Sequence, residues 1–490
     1  MKMVKSLLLG SAAGVVAVVG AQAADLPVKA APVQYVKICT LYGDGFYYVP
    51  GSDTCVRFTG YVRADYGYGV TGARRPQYAR DEGANDRTVD RYSTRHRGRF
   101  AIDTRTQTAY GTLRTYQTFQ MQHEDTPGPG SDDEFGITRA FIQWGGFTFG
   151  RTVSFTDHEG SMGDSGFRSL HQSQVDSTTG ASGVNQIAYT WQLGNGITFN
   201  VGADERRVRD VVNLSDPGTL DDLQIGFEPG SHRAGDNHPN PWVSLRVNQA
   251  WGRASLAVIA NHNQATYYDG ATLGCAQPGT TLCGYPGDKW GFGVLSGAEF
   301  KLDWLSPGSR IGGYFNYGVG ATRYQMGQLQ SPGLYGSGNE IAFGFITDAA
   351  YVDGSGLEQT TAWSAGGGFE YFWTRNFSST VYGQIGEVSY NNSVINGGWF
   401  CAGAGFEVSP TAVCDPGFTY WAVGTHHDWF PLPGLRFAVD VLYAQVGTAM
   451  NGEVITVNTP SGARPAGDYN VKDLGTLSVV FRAQRTWGAN

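Results

Sequence analysis

From Val56 onward the sequence repeats one pattern: segments of about ten residues in which apolar and polar side chains alternate, joined in turn by a short and then a long connection. A period of two belongs to an extended strand, whose successive side chains point to opposite faces. The first segment shows it best. Its even positions, Val56, Phe58, Gly60, Val62, Ala64, Tyr66 and Tyr68, are apolar or aromatic, whereas its odd positions include Arg57, Thr59, Arg63 and Asp65. One such strand fits a soluble sandwich as well as a barrel. The order of the connections decides between them.

Comparable segments lie near 96–105, 110–122, 134–145, 146–152, 184–193, 196–204, 240–250 and 253–263. Others lie near 287–302, 309–322, 360–373, 376–390, 418–430, 434–447 and 471–486. With the first they make sixteen, an even number of the kind found in bacterial transmembrane barrels. Short connections carry turn residues, as in Gln107-Thr108-Ala109, Gly145-Gly146, Gly194-Asn195-Gly196, Ser306-Pro307-Gly308, Thr374-Arg375-Asn376 and Pro431-Leu432-Pro433-Gly434. Eight long ones alternate with them. Short turns on one rim and long loops on the other, with closure to remove edge strands, predict an all-β, 16-stranded antiparallel transmembrane β-barrel with eight long extracellular-side loops. Trp144, Trp191, Trp242, Trp251, Trp290, Trp304, Trp373, Trp421 and Trp429 fall near strand ends and are expected in the two interfacial girdles.

Composition supports this reading. Charged residues are only 16% of the 490, while glycine (70), tyrosine (26) and phenylalanine (26) are abundant, so the chain is neither disordered nor a helical membrane protein. Lys2 and Lys5 precede an apolar run from Leu7 to Gly20 and then Ala21-Gln22-Ala23, the layout of a secretory signal peptide over 1–23. The expected organisation is therefore a signal peptide, a periplasmic or lumen-associated segment over 24–54, and a barrel over 55–490. Without Lys2 and Lys5 the chain carries 33 basic against 43 acidic groups, a formal charge of -10 that excludes nucleic acid as a partner. The cysteines form three neighbouring pairs, Cys39 and Cys55, Cys275 and Cys283, Cys401 and Cys414. Local loop closure in an oxidising compartment is the simplest of the connectivities they allow.

A barrel of this size leaves a wide channel unless something folds into it. The loop at about 153–183 is the candidate, with Asp157, Glu159, Asp164 and Asp176 as acids of a pore constriction. Facing it, strand alternation places Arg57, Arg63, Arg97, Arg99, Arg114 and Arg139 on the pore wall. Acid against base across a waist sets a transverse field that orients polar solutes. The overall charge favours cations weakly. No catalytic motif, cofactor or metal site is read: His426 and His427 are adjacent on a strand and point apart, no phosphate-binding or nucleophile motif occurs, and Asp-rich loops lack calcium-ligand spacing. The chain is read as a non-enzyme. A substrate-selective channel using Tyr189 and Trp191, or a non-conducting structural or adhesin barrel, are the competing readings.

Ala24-Asp25-Leu26-Pro27-Val28-Lys29, Tyr35-Val36-Lys37-Ile38-Cys39, Gly45-Phe46-Tyr47-Tyr48-Val49-Pro50-Gly51 and Asp53-Thr54-Cys55 leading into Gly60-Tyr61-Val62-Arg63 resemble the general porins of alphaproteobacteria. Arg139-Ala140-Phe141-Ile142 and Phe149-Gly150-Arg151 with Ser154-Phe155-Thr156-Asp157 look like the fourth and fifth strands of that family. The resemblance implies an outer-membrane homotrimer, in contact with lipid and lipopolysaccharide, that passes small hydrophilic solutes and ions by passive diffusion, with the third long loop folded into the pore. It makes Asp157, Glu159 and Asp164 constriction acids and Arg63, Arg97, Arg99 and Arg139 wall bases, and it matches Cys39 and Cys55 to a family cysteine pair. Such barrels usually end on an aromatic residue; here Trp487 stands three residues from the end.

Overall fold

A computed structural model describes residues 37–488 except 72–73, 77–89, 126–130, 161–166, 168, 177–178, 181, 216–230, 236, 269–283, 328, 330, 404–406, 409–411 and 458–464. Sixteen long strands pair in chain order: β1 (Cys55–Tyr68), β2 (Tyr92–Thr108), β3 (Gly111–Asp125), β4 (Ser131–Trp144), β5 (Phe147–Thr152), β6 (Val184–Gly194), β7 (Ile197–Asp204) and β8 (Asn240–Gln249). They continue as β9 (Gly252–Gln264), β10 (Asp288–Lys301), β11 (Arg310–Val319), β12 (Thr361–Thr374), β13 (Phe377–Ser389), β14 (Phe418–Leu432), β15 (Leu435–Thr448) and β16 (Leu474–Trp487). β16 returns to β1 in antiparallel register from Gly60 opposite Trp487 to Tyr68 opposite Val479, so the sheet is closed. Each strand coincides with an alternating segment of the sequence. β2 begins earlier than its alternation suggests because its outward residues Thr94 and His96 are polar and the contrast between faces fades there.

Burial is inverted relative to a water-soluble protein. Phe58, Val62, Ile142, Leu256, Phe315, Val381 and Phe481 are exposed on the outside, whereas Asp65, Asp103, Glu370, Asp428 and Arg482 are buried within the barrel. Apolar surface costs nothing against lipid, while charged groups need the wet interior. Of the nine girdle tryptophans, Trp242 breaks the pattern. It shares the inward parity of Asn240 and Ser244 on β8, is 2% exposed, and donates its indole N–H to Asp204 Oδ1 at 2.6 Å. Trp144, Trp191, Trp251, Trp290, Trp304, Trp373 and Trp429 are all exposed, and Trp421 is half-buried.

The largest apolar core lies between the long loops and the inner wall rather than between two sheets. Phe343, Phe345 and Phe400 from loops pack with Tyr382, Tyr420 and Leu442 of β13–β15. Small sheets stitch those loops together, among them Gly333–Tyr335, Glu340–Phe343, Gly467–Val471 and Val454–Val457. Segments of three to five residues paired across more than a hundred positions leave no periodic trace in sequence, which is why the loops read as irregular. Two of the three cysteine pairs are bonded, Cys39 to Cys55 and Cys401 to Cys414, while Cys275 and Cys283 lie outside the described residues. The first bond holds the segment before β1, where Tyr47–Tyr48 adds to the short-turn end of β1 and buried Phe46 stacks under Arg57 and Arg105.

Candidate functional site

The third long loop, residues 153–183, turns into the barrel instead of away from it. Its neck is tied by Asp157, whose Oδ2 accepts hydrogen bonds from Thr179 N at 2.7 Å and Thr179 Oγ1 at 2.8 Å. Arg207 Nη1 stands 4.0 Å from the other oxygen, and Arg246 donates to the Asp157 carbonyl. Burial pushes the Asp157 carboxyl up, against the pull of Arg207 and Thr179. Glu159, two residues on, reaches the wall: Oε1 lies 3.2 Å from Arg246 Nη1 on β8 and Oε2 lies 3.3 Å from Arg253 Nη1 on β9, while Glu159 N donates to Ser255 Oγ at 2.9 Å.

The loop then runs along the inner wall. The His158 ring stacks on Tyr314 of β11 at 4.4 Å, and Phe167 lies under the Arg310 guanidinium at 5.3 Å. At the tip, Asp440 of β15 accepts from Ser169 Oγ at 2.9 Å, Leu170 N at 2.5 Å and Tyr382 Oη at 2.6 Å, and lies 3.3 Å from His171 Nδ1. His171 Nε2 is 3.0 Å from Ser478 Oγ on β16. On the return leg Ser173 Oγ donates to Gln384 at 2.8 Å, Val175 O accepts from Tyr314 Oη at 2.9 Å, and Gly180 O accepts from Arg139 of β4. Asp176 is buried on this leg. The loop thus leans on the wall from β8 round to β16 and leaves the β1–β3 side facing the lumen.

Close approach to that wall depends on missing side chains. A Cβ at Gly297 of β10 would stand 2.0 Å from the Glu159 carbonyl oxygen, and one at Gly160, whose φ is +75°, would meet Gly313 O at 2.5 Å. Neither backbone can yield. Gly297→Ala is therefore expected to lift the first leg of the loop and loosen the Glu159 pairs, seen as altered single-channel conductance in a barrel that still assembles. Gly98→Ala, at a position with open space around it, is the matched control; equal behaviour of the two variants would contradict the account.

Arg139 meets the loop at a backbone carbonyl: it clasps the end of the loop through Gly180 O and donates to Thr138 O at 2.6 Å. Arg57 and Arg114 gather with Arg105 around Asp103, at 3.7, 3.0 and 2.9 Å, toward the short-turn rim. Arg63 and Arg97 face each other across β1 and β2 and donate to neutral amides, Gln484 Oε1 at 2.9 Å and Gln122 Oε1 at 2.8 Å. Arg99, half-buried on the same face beside Tyr61, has no hydrogen-bond or ion-pair partner among the described residues. Asp164 lies outside the described residues. Asp65, fully buried, holds Arg482 Nε at 2.6 Å and Arg95 Nε at 3.1 Å.

Sequence reasoning missed the true partners of the loop acids, Arg207, Arg246 and Arg253. The inward parity of Asn240, Trp242 and Ser244 would have placed Arg246 in the lumen, since it continues the same even series. Tyr189 and Trp191 lie on the outward face of β6 with Ile187, opposite in parity to buried Gln186 and Ala188, and so line no channel. His426 and His427 do point apart: His426 Nε2 is 3.1 Å from Asp428 inside the barrel, whereas His427 Nδ1 is 2.9 Å from Ser379 Oγ on the outside. Among the described residues no cluster of metal-ligating side chains occurs. Beneath the neck a cavity of about 560 Å³ opens toward the short-turn rim, lined by Gln143, Trp144, Phe147, Phe155, Asn200 and Arg246 among others.

Residues 25–479 match the family model described as the Porin subfamily. Porin Omp2a of Brucella ovis is 35% identical over 227 residues, which cover 41% of this chain and 59% of that protein. Porin Omp2b of Brucella abortus is 34% identical over 213 residues, covering 41% of this chain and 54% of its own. The chain thus spans less than two thirds of the length of the curated relatives it matches. Among solved structures, the outer membrane channel DcaP of Acinetobacter baumannii superposes with a TM-score of 0.58 over 90% of this chain and 99% of that one, at 15% identity, a likeness of fold.

Proposed function

The chain belongs to the Porin subfamily, and from that membership and the geometry of the barrel we propose that it forms a water-filled channel in the bacterial outer membrane for passive diffusion of ions and small hydrophilic solutes. The observation that carries this reading is the path of the third loop: it narrows a sixteen-stranded lumen by leaning on the wall from β8 round to β16, away from the side of Arg63, Arg97 and Arg99. Passage requires no cofactor and no conformational cycle. A solute keeps most of its hydration, is filtered by the width of the waist, and is oriented by the fixed charges there.

Within this reading the residues divide their roles. Asp157, Glu159 and Asp176 shape the constriction loop from within, Arg139 closes its return, and Asp164 is a further acid of the same loop. Arg63, Arg97 and Arg99 supply the wall charge, and Arg57 and Arg114 the field near the short-turn rim. The working unit is a homotrimer set in lipid and lipopolysaccharide, and the chain is a channel rather than an enzyme. Liposomes carrying the purified oligomer are expected to swell in neutral sugars at rates that fall steeply with sugar size. Folded, heat-modifiable protein that gave no swelling with any sugar would overturn the proposal.

A further inference from the structure

Above the waist, on the long-loop side, three loops bring arginines together. Arg75 sits on a small hairpin, Arg75–Pro76 against Val70–Thr71, that folds inward onto the constriction loop. Val70 is buried with Leu170, Arg74 Nε donates to Leu170 O at 2.8 Å, and Gln172 N donates to Arg74 O at 2.9 Å. Arg207 and Arg209 follow β7, and Arg323 occupies a single turn, Thr322–Tyr324, just past β11. The Arg207 guanidinium lies 4.7 Å from the Tyr324 ring, and Arg209 is pinned by donating to Leu329 O.

The described acids close to this group are already engaged. Asp348 is fully buried, accepts from Arg209 N, Thr322 N and Thr322 Oγ1 at 2.8 Å each, and lies 3.8 Å from Arg233 Nη1. Asp204 accepts from Ser154 Oγ and Trp242 Nε1, and Asp157 from Thr179. Glu124 of β3 faces Arg74 and Arg75 together with Arg95 and Arg97. Against these, Arg323 has no hydrogen-bond or ion-pair partner among the described residues, and the Nε of Arg75 is buried without an acceptor. Burial, with Arg209, Arg207 and Arg75 close by, pushes the Arg323 guanidinium down to about 9. Like charges gathered in this way repel one another, and a bound anion offsets that repulsion.

We propose that Arg75 and Arg323, backed by Arg207 and Arg209, form an anion-binding vestibule that loads small oxyanions, carboxylates or inorganic phosphate, toward the wall of Arg63, Arg97 and Arg99. Planar guanidinium forks match the paired oxygens of a carboxylate or phosphate and discriminate against a hydrated monatomic cation. The inference rests on the channel reading above and adds a ligand class and a binding station to it.

The test uses the native oligomer in planar bilayers under a potassium chloride gradient, with inorganic phosphate or succinate as the probe on the long-loop side. Wild type is expected to reverse on the chloride side, and each probe is expected to reduce the chloride current in a saturable manner. Arg75→Gln with Arg323→Gln is expected to weaken that reduction about tenfold while leaving conducting steps in place, and Arg323→Lys, which keeps the charge, to retain part of it. Conducting channels without saturable block, or block unchanged in the double glutamine variant, would overturn the vestibule and leave the channel reading intact. Block by phosphate but not succinate, or the converse, selects between the two sources. Absence of any conductance in wild type would instead sink the channel reading and the vestibule with it.

Discussion

Asp440→Ala is expected to free the tip of the constriction loop and turn quiet openings into larger, noisier ones. The carboxylate is fully buried on β15 and is the shared acceptor for Ser169 Oγ, Leu170 N and Tyr382 Oη, with His171 Nδ1 at 3.3 Å and His426 Nδ1 at 3.6 Å. No other carboxylate among the described residues is hydrogen-bonded to the tip. Removing the acceptor strands several buried donors, at a cost of about 3–5 kcal/mol taken from loop docking. The ladder between β14, β15 and β16 is backbone and remains. Heat-modifiability on gels should therefore persist while mean open current and its variance rise. Asp440→Asn, which keeps one carbonyl acceptor, should fall between. Wild-type current traces from a folded alanine variant would show that the tip is held by something else.

The second large effect concerns the sign of the field. Replacing Arg63, Arg97 and Arg99 together by glutamine is expected to move the reversal potential under a salt gradient strongly toward cations. Arg63 and Arg97 donate to amide oxygens, which leave their charges intact, and Arg99 has no partner among the described residues. Arg95 and Arg482 share buried Asp65, which offsets part of their charge. Each of the three wall charges acts on a passing ion by about 1 kcal/mol at 4 Å in water, so removing three shifts relative permeability by up to about two orders of magnitude. Glu159→Gln should act oppositely, since it removes the carboxylate between Arg246 and Arg253. Equal reversal potentials in wild type and the triple variant would remove these arginines from the waist.

The formal charge of -10 pointed toward cations, but a total says nothing about placement. Asp157, Glu159 and Asp440 are absorbed in holding the loop, and Asp65 and Asp103 in pairing arginines. In the register of β1 and β2, Arg63 stands opposite Arg97, and Arg99 shares their inward parity.

The strands were legible because each has one lipid face and one wet face, and a period of two with short turns survives even where single segments are faint. The inward loop was legible from its acids and its place after β5. Its docking was not, because that depends on glycines such as Gly297 and on inward parity along β8 and β9, which carry meaning only once a loop is known to lie there. Trp242 was misplaced for a related reason. Position near a strand end suggests a girdle, but parity, set by Asn240 and Ser244, turns the indole inward to Asp204. The loop core around Phe343 and Phe400 was invisible because its partners come from distant loops without periodicity.

The most direct test of the account is a single-channel recording of the purified native oligomer in a planar bilayer under a salt gradient, with conductance and reversal potential taken together. The account predicts stepwise ohmic openings in groups of three that reverse on the anion side. Folded, heat-modifiable barrels that insert and pass no current would contradict it.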